Sequence, residues 1–179
     1  MHAVVLAELC DEEYKDLITP KVHVSNITHT EITWAVDADM KTRLANIVDY
    51  LLEPFCENDE NYFTEGYEEA CFCNEDPECG DCSGTGIFSR RYNPEGIYDW
   101  YEIGGRWAGA AYGVNIPSKE LAGYQIAKVK HINRFRDTGL GHAINYVVTK
   151  DRNLIRDANE WLTAPENADK YMVVIDYHC

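Results

Sequence analysis

Four cysteines, Cys71, Cys73, Cys79 and Cys82, fall within twelve residues in the stretch CFCNEDPECGDCSGTG. Thiols this dense hold a metal, pair as disulfides or cycle through redox states. The chain has seven cysteines, an odd number. Its start, MHAVVLAEL, lacks the basic residues and small-residue cleavage site of a secretory leader. Both features point to a reducing, cytoplasmic setting and to metal over disulfides. The spacing is Cys-x-Cys, five residues, then Cys-x2-Cys. Four thiolates complete a tetrahedral zinc shell and leave no position for water, so the expected zinc ion is structural. An iron–sulfur cluster takes the same ligands and is the alternative. Thiolate outcompetes carboxylate for such an ion, so the neighbouring acids are not expected to ligate. Gly80 is expected to supply a positive φ within the turn. The single residue between Cys71 and Cys73 is tighter than the usual two to four.

A second set of residues has acid–base potential. NPEGIYDWYEIGGRW brings Asp99, Trp100, Tyr101 and Arg106 close in sequence, and His2, Asp176 and His178 sit on or beside apolar runs at the two chain ends. If the terminal strands adjoin, His2 and His178 face each other near Arg106. Two imidazoles and a guanidinium suit general acid–base work on a nucleotide or phosphodiester. The plainer alternative has the tryptophans filling the core and Arg106 stacked on an aromatic ring and paired with Asp99.

The elements that must position these groups follow from periodicity. HAVVLAEL (2–9) and YMVVIDYHC (171–179) are nearly all apolar, as strands buried on both faces are. Adjacent terminal strands in mid-sheet are one expectation. EEYKDL suggests a short helix, and residues 21–36 a strand or hairpin. Met40, Leu44, Ile47, Val48, Leu51 and Leu52 keep helical spacing, with Asp37 or Asp39 before them and Pro54 after, predicting a helix over 39–52. GIFSRRYN and YDWYEIGGRW read as two strands joined by an NPEG turn, with Gly104-Gly105 a turn or bulge. Residues 124–132 read as a strand, 143–157 as a hairpin turning at Asp151-Arg152-Asn153, and ANEWL as the start of a short helix. The fold class is α+β: a largely antiparallel sheet with one main and one short helix on one face. The domain reading is one domain, 1–179, with 56–86 an acidic zinc-binding insertion.

The composition is globular, 45% apolar and 12% aromatic, and no run approaches a membrane span. The net charge is −15, and twelve acids without a Lys or Arg lie between Arg43 and Arg90. Such a surface repels nucleic acid and suits basic partners or cations. The basic residues Lys128, Lys130, Arg134 and Arg136 are too few against that background to predict a nucleic-acid site. No phosphate-cradling glycine loop with its lysine is present, and no Ser-His-Asp signature.

Two resemblances add to this. Cys79, Cys82, Gly84 and Gly86 are similar to half of the Cys-x-x-Cys-x-Gly-x-Gly repeat of DnaJ-type chaperones, which implies a local zinc knuckle. NPEGIYDWYEIGGRW resembles the Asp-Trp-Tyr-x-Ile-Gly-Gly-Arg-Trp signature of a family of bacteriophage and prophage proteins. LLEPFCEND and the closing VVIDYHC, with Asp176 and His178, are weaker similarities in the same order. The short stretch between Trp107 and Tyr124 departs from that family, as does a missing Gly-Trp-Trp segment. The resemblance implies phage origin and action in the cytoplasm of an infected bacterium. The leading expectation is a protein-binding inhibitor of a host nucleic-acid-binding or defence complex, in the manner of anti-CRISPR proteins. The alternative is an enzyme acting on a nucleotide or phosphodiester.

Overall fold

A computed structural model describes residues 1–10, 38–73, 76–107, 126–134 and 140–179. The sequence-predicted helix of EEYKDL, the strand or hairpin at 21–36, residues 124–125 of the strand expected at 124–132, and Arg136 lie outside the described residues. The chain divides into two compact units: a sheet unit, Met1–Leu52 with Trp100–Cys179, and a cysteine unit, Glu53–Asp99. The compact unit runs wider at both ends than the insertion expected at 56–86.

In the sheet unit, β1 (His2–Leu9) and β8 (Tyr171–His178) pair antiparallel over their whole length, His2 opposite His178 and Leu9 opposite Tyr171. The chain ends lie side by side, and Cys179 N–H donates to the Met1 carbonyl at 3.1 Å. β6 (Ile144–Val148) adds parallel to β1, and β7 (Leu154–Ile155) adds antiparallel to β6. On the other side of β8, β4 (Trp100–Ile103) and β5 (Ile126–Lys128) follow one another along the same edge. Flanked on both sides, β1 and β8 bury both faces, which is why neither alternates in sequence.

The expected helix spans Ala38–Leu52 (α1), with Leu44, Val48, Leu51 and Leu52 buried. Tyr101 stands opposite Tyr177, and its hydroxyl donates to Asp49 of α1, so α1 covers that face. The opposite face carries Val4, Leu6, Met172 and Val174. They pack with Val129 and Ile132 of α2 (Val129–Ile132), Leu140 of α3 (Leu140–Ala143), and Ala158 and Leu162 of α4 (Ala158–Thr163). The α+β class holds, but helices cover both faces rather than one. The reason lies in the central strands, whose two apolar faces each need a cover.

Two local expectations change and a third holds. Residues 124–132 do not run as one strand: β5 ends at Lys128 and the chain turns into α2, its amides at Val129 and Lys130 donating to Lys170 and Ala168 carbonyls. The strands GIFSRRYN and YDWYEIGGRW do not pair. β3 (Ile87–Tyr92) pairs antiparallel with β2 (Thr64–Ala70) in the cysteine unit, whereas β4 pairs with β8. Asn93 redirects the chain, its side-chain amide donating to the Pro54 and Cys56 carbonyls at 2.8 and 2.9 Å. The hairpin of β6 and β7 does form, closed by Thr149 N–H to Asn153 O and by Arg152 at φ 61°.

Candidate functional site

The cysteine unit has 47 residues, and its buried apolar side chains among the described residues are Phe55, Cys82, Ile97 and Tyr98. That is too small a core to offset the chain entropy of ordering the segment. Backbone turns begin the ordering. β2 and β3 bring Cys71 level with Gly86, whose carbonyl accepts from Cys71 N–H at 2.8 Å. Asp76 N–H donates to Cys73 O, Cys79 N–H to Asp76 O, and Ser83 N–H to Cys79 O. Thr85 Oγ1 donates to the Cys82 carbonyl at 2.7 Å. The positive φ values fall at Ser83, Gly84 and Gly86 (51°, 82° and 72°), not at Gly80. The expectation for Gly80 is therefore corrected: the sharp backbone comes after the second Cys-x2-Cys thiol, not inside the pair. At Gly84 a Cβ would stand 2.9 Å from Pro77 Cα, so a side chain there would force the turn apart.

These turns bring the four sulfurs within 4.8 Å of one another. Cys71 Sγ lies 3.7 Å from Cys79 Sγ, and Cys73 Sγ lies 3.3 Å from Cys82 Sγ. Metal–sulfur bonds of about 2.3 Å in a tetrahedron set sulfur–sulfur edges of about 3.8 Å. The four cysteines thus lie close enough to bind one metal ion. Without a cation the sulfurs contend for protons. Cys82 is drawn down to about 7: burial raises it, but the Cys73 thiol and the N–H groups of Gly86 and Gly84 outweigh burial. Cys71 is pushed up to about 12: the Cys73 amide lowers it, while the Cys73, Cys79 and Cys82 side chains and burial together raise it further. Phe72, between Cys71 and Cys73, is 93% exposed.

The second set of predicted residues is partly assembled. Across β4, β8 and β1, one row reads Trp100, His178, His2 and the next reads Glu102, Asp176, Val4. His2 Nδ1 lies 3.2 Å from Asp176 Oδ1, and Arg106 N–H donates to Asp176 Oδ2 at 3.0 Å. The Asp176 side chain is 2% exposed. The Arg106 guanidinium is 64% exposed, with Nε 4.0 Å from the same carboxylate. The His2 and His178 rings meet edge-on at 5.2 Å, and the Trp100 indole lies parallel to His178 at 5.7 Å. Gly104 and Gly105 make this possible. Gly105 has φ 45°, and a Cβ there would stand 2.4 Å from Asp176 Cβ, so only glycine lets the Arg106 amide reach the carboxylate. Asp99 belongs to the cysteine unit and is exposed. Trp100 was legible only as an aromatic in a crowded strand; its place in the histidine row needed the register of β4 on β8.

Lys128 and Lys130 both reach Asp169, at 3.4 and 2.6 Å, so part of the basic patch is neutralised locally. No helix among the described residues is long and apolar enough to cross a membrane. No family model matches the chain, and searches of curated proteins and of solved structures give no match. The bacteriophage resemblance rests on its own residues.

Proposed function

We propose that the chain is a zinc-ordered binding protein whose cysteine unit occupies a basic, nucleic-acid-binding surface of a host protein. The observation that carries this reading is the convergence of four sulfurs in a segment with almost no core of its own. A metal there supplies the order that burial does not. Sulfurs within 4.8 Å suit a single ion, whereas a multi-iron cluster with bridging sulfides needs its cysteines further apart. Among single ions zinc matches a closed four-thiolate shell with no redox duty.

What the ordered unit presents supports the rest. Residues 53–99 hold thirteen Asp and Glu against two Arg. Glu57, Glu60, Glu68, Asp76, Glu78 and Asp81 are exposed, and so is Phe72. Exposed carboxylates steer the unit to a basic groove, and an exposed aromatic serves as its anchor. The phage resemblance supplies the setting: a host complex that binds or is guided by nucleic acid, blocked by occupation of its groove.

Capture from lysate of infected host cells identifies the partner, and titration measures the affinity. Replacing Glu68, Asp76, Glu78 and Asp81 by their amides should weaken binding at least about tenfold and flatten its salt dependence. Phe72→Ala should weaken it about thirtyfold without loss of metal. Unchanged affinity in both variants would contradict the reading.

A further inference from the structure

The row at the end of the sheet unit is a second site, independent of the cysteine unit. We propose that it is a phosphodiester-cleaving site for single-stranded RNA, with His2 as general base and His178 as general acid.

Asp176 organises the row. Both its oxygens are engaged, one by His2 Nδ1 and one by the Arg106 amide, and the side chain is nearly fully buried. A carboxylate only accepts, so Nδ1 of His2 carries a hydrogen, and in the neutral ring Nε2 keeps its lone pair. The contact also fixes the ring plane. An oriented imidazole with an accepting Nε2, 19% exposed, is a general base presented at the surface. A second imidazole, His178, stands 5.2 Å away, stacked on an indole that steadies an imidazolium while it carries the proton. Arg106 reaches into solvent from beside the same carboxylate, placed to grip non-bridging phosphate oxygens. Trp100, 46% exposed, offers a surface on which a base stacks.

The substrate class follows from this set. Two imidazoles of opposite protonation move one proton in and one proton out, which is what transfer of a phosphoryl group to a neighbouring hydroxyl needs. The ribose 2′-hydroxyl gives its proton to His2 Nε2 as its oxygen bonds to the adjacent phosphorus. The bond from phosphorus to the 5′-oxygen of the next nucleotide breaks, and that oxygen takes the proton of His178. A 2′,3′-cyclic phosphate and a free 5′-hydroxyl result, with no change of oxidation state and no co-reactant. Solvent then exchanges the two protons back.

The acidity of the whole chain does not argue against this ligand. The sheet unit holds fourteen Lys and Arg against eighteen Asp and Glu, so most of the negative charge lies in the other unit.

The test uses the purified full chain with an end-labelled oligoribonucleotide and its deoxy counterpart. Cleavage of the RNA alone, with a cyclic phosphate end by mass spectrometry, is the expected result. His2→Ala and His178→Ala should each slow it at least about 100-fold. Arg106→Ala should raise KM more than it lowers kcat. Asp176→Asn, which acts through His2, should lower kcat and displace the pH–rate profile, a change that a merely structural role would not produce in a folded variant. Should Asp176→Asn fail to fold, the histidine variants at the partly exposed edge decide the matter. Intact RNA with the unaltered chain, or cleavage that survives loss of both histidines, overturns the proposal.

Discussion

At the scale of single residues, the cysteines and the histidine row differ in what the sequence disclosed. Cys71, Cys73, Cys79 and Cys82 declare themselves by type and spacing, since thiols within a dozen residues have few other uses. The position of the positive φ was not legible. Gly80 was the natural candidate, yet the turn needs the left-handed region at Ser83, Gly84 and Gly86. Replacing any one thiol by serine should leave a three-sulfur site with an oxygen that binds the ion poorly. Each of the four single variants should lose most of its metal under a chelator concentration that leaves the parent loaded, as read by elemental analysis. Loss confined to one or two of the four positions would mean a different ligand set.

At the scale of elements, the sequence marked the strands well and their partners poorly. HAVVLAEL and YMVVIDYH read as buried strands because they are apolar on both faces, and they hold the centre of the sheet. The helix 39–52 was legible from its period. The pairing of GIFSRRYN was not, because a strand's edge carries no label for its partner, and Asn93 sends the chain elsewhere through long-range side-chain bonds to Pro54 and Cys56. The break of 124–132 at Lys128 was hidden for a similar reason: its apolar residues fit either period over so short a run. Gly105 is the element-level feature with the sharpest consequence. Gly105→Ala meets a φ of 45° and places its Cβ 2.4 Å from Asp176 Cβ, well inside contact distance, so it should cost at least about 1–3 kcal/mol in denaturant titration. Gly80→Ala, where a Cβ would meet nothing within 4 Å, should be near neutral. Equal costs at the two positions would show that the close approach at Asp176 is unimportant.

At the scale of the whole molecule, charge and order are segregated. The sheet unit has its own core and a modest charge; the cysteine unit has little core and most of the net negative charge. The sequence already placed the acidity in one run without Lys or Arg, and the division into units shows that this run belongs to a compact unit of its own. The cysteine unit should therefore depend on metal and the sheet unit should not. On chelation, amides of Glu53–Asp99 should lose their protection from hydrogen exchange, while those of β1 and β8 keep theirs. Simultaneous loss in both units would make metal a requirement of the whole fold.

The central claim is that four sulfurs hold one zinc ion. X-ray absorption at the zinc edge of the purified chain, with the metal content measured alongside, tests it most directly. The account predicts one zinc per chain with four sulfur neighbours at about 2.3 Å. Chains purified without stoichiometric metal, or a metal with nitrogen, oxygen or iron neighbours, would contradict it.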